Sequence, residues 1–377
     1  MTAAPPGWRP DAGTEPDAVI REARRRQRRR WLASGTAVAM AGACVAIVIA
    51  GWGGGSGPRP PGHHGPATAP AHRLPAAPAH AAALTTVSQA SLPKGNSLSL
   101  VAGYRAVWVT GIGVTYEVNQ ATGRIVRTIS TPGTFPDGCG SGIAAGEGGV
   151  WVTHGCRGVY RIDPHSGRVI ASVRVPGAGD AIAAAGGLVW VPSYHGDLLR
   201  IQPQTGKITG KPIRVGLGDW AIVPVAGALW VTSYGSGIVS RVDLATGAVD
   251  RFGNRIIQAA GAGSLWTPQV QRIDPATGNV IASVPVPGTA RGAGNGANQV
   301  TFWNGSAWAL TATRSLLLLR IDPAANQVTG KPVPVGEPLP AGYDTEPTAI
   351  AAGPTGLWVL DFQRDLLFHL AIRPPQP

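Results

Sequence analysis

The chain has 377 residues, a formal net charge of +12 and a pI of about 10.4, enough length for one large or two ordinary domains. Seven arginines stand in residues 21–30, "REARRRQRRR", and from Ala82 onward the excess is only about six positive charges. The basicity is therefore a local label, and it excludes nucleic acid as the expected partner.

Residues 1–30 read as a basic cytoplasmic tail. Residues 31–52, "WLASGTAVAMAGACVAIVIAGW", are 22 positions without a charge, with a tryptophan at each end. Such a run spans a hydrocarbon core of about 30 Å as a helix, and the arginines before it hold the N-terminus inside. The expected location is the cell membrane, single-pass, with all later residues extracytoplasmic. Three other readings export the same residues. A cleaved signal would end at "ATA" or "AHA", but its basic and apolar parts exceed the usual lengths. The twin-arginine pattern in "RRRWL" is incomplete, and Cys44 precedes an apolar stretch where a lipoprotein would turn polar.

Residues 53–81 hold seven prolines and four of the eight histidines (His63, His64, His72 and His80). With no apolar periodicity they form a disordered linker, roughly 30 Å across as a coil.

From residue 82 to 377 the chain repeats. Tryptophans 108, 151, 190, 230, 266, 308 and 358 are spaced by 43, 39, 40, 36, 42 and 50 residues, the length of a four-stranded propeller blade. Six are followed by a strand, turn and strand such as "YRIDPHSGRVI". The last blade stops after Trp358 without its fourth strand. The stretch "LTTVSQASLPKGNSLSLVAGYRAVW", at 84–108, supplies one ahead of the first blade. These observations predict an all-β seven-bladed propeller closed by an N-terminal strand, which leaves no large open edge.

Blade two predicts the rest: strand a near "GIAAG", b "VWVTH", c "GVYRID" and d "RVIASVRV". The a–b and c–d turns lie on one face, and the longer b–c and d–a loops on the other, where sites are expected. In "RIDPATG" the aspartates (Asp163, Asp274, Asp322) start a turn and the glycine supplies positive φ. The repeated tryptophans are inter-blade packing. The loop face offers His154, Asp180, Tyr194, His195, Asp219, Trp220, Tyr234, Asp344, Glu346 and Asp361 as ligand-binding candidates; Trp220, in the loop "GLGDWAIVP", is the better placed tryptophan for stacking on a ligand, although a core aromatic is the favoured reading of it. If the a–b hairpin of blade two turns at Glu147 and Gly148, paired residue numbers total 295, which sets Cys139 opposite Cys156. Outside the membrane this pair predicts a disulfide worth about 3 kcal/mol. No spaced cysteine pair supports a zinc site.

The pattern "G-x-LWV" followed by "V-x-RIDP-x-TG-x-V" resembles the YVTN and NHL-type propellers and the virginiamycin B lyase-like group. That resemblance implies the seven-bladed fold. It also implies, for the lyase group, elimination of a cyclic lactone with a divalent metal, histidine and glutamate on one face. Those blades favour "WFTE" and "N-x-IGRI", where this chain has "WVT" and "RIDP". Only His154 and His195 match in position, and the catalytic set does not carry over. "D-P-x-TG" is also similar to quinone-dependent dehydrogenases, which have eight blades. The expected function is a tethered binding or scaffold module for an extracellular ligand, envelope polymer or protein, without a cofactor. The alternative is a metal-assisted lyase or hydrolase on the same face, and a third reading is a structural spacer.

Overall fold

The computed structural model describes residues 84–93, 97–131, 142–154, 157–218, 220–225, 227–253, 255–286, 299–312, 315–338, 349–362 and 364–372. The tail, the apolar run, the linker, Cys139 and Cys156 lie outside them. Among the described residues no helix is long and apolar enough to cross a membrane.

The strands form seven four-stranded antiparallel sheets. Blade one runs Ser97–Gly103, Ala106–Gly111, Val114–Asn119 and Ile125–Ser130, and blade two Ile143–Gly146, Gly149–His154, Gly158–Ile162 and Val169–Arg174. Blade three runs Ala183–Ala185, Leu188–Pro192, Asp197–Ile201 and Ile208–Arg214. Successive strands a touch one another around the ring, and strand a of blade seven (Ala349–Gly353) meets that of blade one. The fourth strand of blade seven is Leu84–Ser91, paired with Leu366–Ile372 from Leu84↔Ile372 to Ser91↔Leu366. The ring is thus closed from the N-terminal side. Leu84 lies at the end of strand c, so the chain enters on the face of the c–d turns.

Strand b is buried on both sides, because each sheet is covered by a blade on either side. A strand covered on both faces reads as a continuous apolar run, here "VWV", instead of alternating. Strand d, the outer edge, is mostly exposed. Five repeat tryptophans (108, 151, 190, 266 and 308) donate Nε1–H to the carbonyl five residues earlier, at 3.0–3.3 Å. Each indole therefore fills the core and pins the turn behind it.

The c–d turns follow their residue types. Asp163 accepts from the amides of His165 and Ser166, and Asp243 and Asp322 repeat the arrangement. Gly123, Gly167, Gly206, Gly247 and Gly278 take φ of 66–72°, with Asn326 at 54° in the glycine-free turn. The a–b hairpin of blade two pairs Ile143↔Val152, Ala144↔Trp151 and Gly146↔Gly149, the register expected from its turn.

Candidate functional site

On the loop face, strand b of blade two ends at His154, which is 9% exposed. Its imidazole stacks on Tyr160 of strand c, with ring centres 4.1 Å apart and planes 24° apart. The ring fits because strand c begins with glycine. A Cβ on Gly158 would lie 3.1 Å from His154 Nε2 and 2.1 Å from the Val173 carbonyl oxygen, so no side chain can occupy that place. Burial pushes His154 below the ordinary 6.5, and the nearby Arg157 guanidinium lowers it further. The resting imidazole is neutral at neutral pH, and its Nε2 is buried without a hydrogen-bond partner among the described residues.

A half-open cleft of about 490 Å³ adjoins it, lined by His154, Arg157, Ser172, Arg174, Pro176 and Gly177. That volume is within the range of small-ligand sites. His154 and Arg174, which both line it, stand in one row of the sheet on either side of Gly158. The far edge of the cleft is set by blade three: Tyr194 N–H donates to Gly177 O at 2.8 Å, and Gly179 N–H donates to Pro192 O at 2.7 Å. His195 is exposed at this edge, where a Cβ on Gly177 would lie 3.1 Å from its Nε2. The structure therefore brings His154 and His195 to two sides of one loop junction.

The other candidates are placed differently. Trp220 lies in strand a of blade four, not in the loop, and is 1% exposed. Its ring packs over Gly179 and beside Tyr194 at 5.3 Å, and its Nε1–H reaches Gly216 O at 3.2 Å. The core reading of this tryptophan is the one the geometry fits, and Trp220 to Val223 are all buried between blades. Asp180, Tyr194 and Tyr234 are partly buried. Asp361 is 4% exposed and is held by Arg364, Oδ2 to Nε at 2.8 Å, within its own loop. Asp219, Asp344 and Glu346 lie outside the described residues. Among the described residues no three His, Cys, Asp or Glu side chains gather in a way that could hold a metal ion.

Sequence reasoning passed over the arginines. Arg161 and Arg272, in "RID", donate to the carbonyl oxygens of Pro203 and Pro323 in the next blades, both at 2.7 Å. Arg161 also lies over the Trp151 ring at 5.2 Å, and Arg200 over Trp190 at 5.9 Å. The repeated "R-I-D" beside "VWV" carried that signal, since the two motifs face each other across the b–c register. Arg157 and Arg174 line the cleft, and the strand d place of Arg174 is held by arginine again in blade three, at Arg214.

No family model matches the chain, and no curated relative matches it. Solved structures do. The Pan2 WD40 domain of Neurospora crassa superposes with a TM-score of 0.58 at 13% identity, over 79% of this chain and 97% of that one. A chain from a crystal structure of the mitotic checkpoint complex gives 0.59 at 12%, over 81% and 97%. BamB from Moraxella catarrhalis gives 0.48 at 12%, over 78% and 100%. At such identities the likeness is one of fold, the seven-bladed β-propeller, and the finer resemblance to particular propeller groups rests on the repeat motifs alone.

Proposed function

We propose that this protein is a membrane-tethered, extracytoplasmic binding module that holds its ligand on the b–c and d–a loop face. The half-open cleft beside His154 carries the reading: it lies on that face, and imidazole, guanidinium and hydroxyl groups line it together. Support for the tether comes from the 22-residue apolar run behind seven arginines. A tether entering at Leu84 would attach on the turn face and leave the loop face directed away from the membrane.

Retention of soluble envelope fragments by the detergent-solubilised, immobilised full-length chain tests the assignment, because the membrane helix then contributes nothing to the signal. Replacing His154, Arg174 and His195 with alanine should lower retention about tenfold, while alanines at Arg124, Arg168 and Lys207 on the turn side should not. Equal loss in both sets would sink the loop-face reading. Extraction at alkaline pH tests the tether separately, and release of the chain would count against a membrane helix.

A further inference from the structure

Blades two and three carry the same row of positions across strands b, c and d, and both end in arginine on strand d. In blade three the row is Ser193, Asp197 and Arg214. Asp197 pairs with Arg214 in register, and its Oδ1 lies 3.2 Å from Arg214 Nε. In blade two the row is His154, Gly158 and Arg174. The strand c place is held by Val114, Ile238, Leu317 and Leu366 in four other blades, so a side chain is the rule there. In blade two alone among these it is glycine, and the carboxylate that neutralises the arginine next door is missing.

The consequence is that Arg174 lacks the carboxylate partner that Arg214 has, while the His154 ring and the Val173 carbonyl fill the space at Gly158 itself. Among the described residues Arg174 makes no ion pair, and the adjoining cleft is lined by His154, Arg157, Ser172, Arg174, Pro176 and Gly177, with no carboxylate among them. An arginine presents a planar fork of donors that suits a carboxylate or a phosphate, and such charge-assisted bonds are the stronger kind. The Ser172 hydroxyl adds a neutral donor. His154 Nε2 is buried and unpartnered at the same wall, and a buried polar atom without a partner in the resting protein is a place where a ligand atom gains most.

We infer that blade two holds an oxyanion-binding site, in which a carboxylate or phosphate group of the ligand sits in the cleft between Arg174 and His154 and gives Arg174 the counter-charge that Asp197 gives Arg214 in blade three. This deepens the loop-face reading by giving the ligand's chemical class, and it rests on that reading. Arg157 stands at the mouth as a second cation, and Ser172 lies beside Arg174 on strand d. A neutral sugar or an apolar peptide offers Arg174 only uncharged acceptors, whereas a carboxylate or phosphate group also matches its charge.

Titration of the full-length chain with inorganic phosphate and, separately, with acetate tests this, at constant ionic strength held with chloride and read by calorimetry. One saturable site is expected, and the tighter of the two anions identifies which group the cleft takes. Arg174→Gln should weaken binding at least tenfold, Arg174→Lys should restore part of it, and Arg214→Gln, the matched change in blade three, should leave it unchanged. Arg174 is exposed, so the variants keep the fold, which an unchanged melting temperature without anion verifies. Absence of saturable binding by either anion overturns the proposal, as does equal loss in Arg174→Gln and Arg214→Gln. Those results would leave the envelope-retention test untouched, so failure of the ligand class is separable from failure of the loop face.

Discussion

Two buried histidines set how this protein answers to acid. His154 and His369 are 9% and 4% exposed, and burial lowers both below the ordinary 6.5. His369 lies flat on Trp358, with centroids 4.1 Å apart and planes 3° apart. A base with a lowered pKa takes up its proton less readily when folded than when unfolded. As pH falls through 6.5 the unfolded chain gains protons that the folded chain refuses, and stability drops. The turn aspartates act lower down. Asp163, Asp243 and Asp274 are held below 3.8 by local amides, so what they add persists above that value and is lost only in stronger acid. The melting temperature should therefore decline between pH 7 and 5, and His369→Gln should flatten that decline. An unchanged slope in the variant would assign the acid response elsewhere. Arg161 is the other informative residue, since it covers Trp151 and bonds both to Gly148 O at 3.0 Å and to the next blade. Arg161→Ala should cost about 1–3 kcal/mol, read from chemical denaturation, by removing two hydrogen bonds and a cation–π contact together.

At the scale of elements, the N-terminal strand makes the sharpest claim. Leu84–Ser91 covers the edge of Leu366–Ile372, where Leu367, Phe368 and Leu370 are at most 1% exposed. A chain beginning at Ser97 would leave the outer edge of that strand unpaired, and an exposed apolar edge is a template for association. Such a chain should elute as aggregates in size-exclusion chromatography, and a monomer with an unchanged melt would refute the closure. The strand was legible because the blade after Trp358 visibly lacks its partner while "LTTVSQAS" precedes the first blade. The hairpin register of blade two was legible too, since Glu147 and Gly148 fix the turn and both take positive φ. What was not legible depends on neighbours across strands. Gly158 looks like any strand glycine until register puts it between His154 and Arg174. Trp220 looked like a loop residue because strand a of blade four begins on it. The Cys139 to Cys156 pairing stays an expectation from that register.

For the whole molecule, the ring decides what kind of chemistry the loop face supports. Seven inner strands meet around one axis, so residues from different blades converge only where their loops lean together, as the d–a loop of blade two and the b–c loop of blade three do through Gly177, Gly179, Pro192 and Tyr194. The side chains that line the cleft there are arginine, imidazole and hydroxyl, with Asp180 next to Gly179 in the same loop. Cationic donors there favour an anion and repel a metal ion, which needs carboxylates or several imidazoles in one place. The binding and metal-enzyme readings therefore diverge in one measurement on the full-length chain. A species bound only by the native state must raise the melting temperature, by RT ln(1 + [L]/Kd) in free energy, about 2.7 kcal/mol at a hundredfold excess over Kd. Phosphate or acetate should raise it, and Mg²⁺, Ca²⁺, Mn²⁺ and Zn²⁺, each added and then withdrawn with EDTA, should not. A metal-induced rise abolished by His154→Ala or His195→Ala would favour the lyase or hydrolase alternative, because it would place the ion at the same junction where the arginines stand.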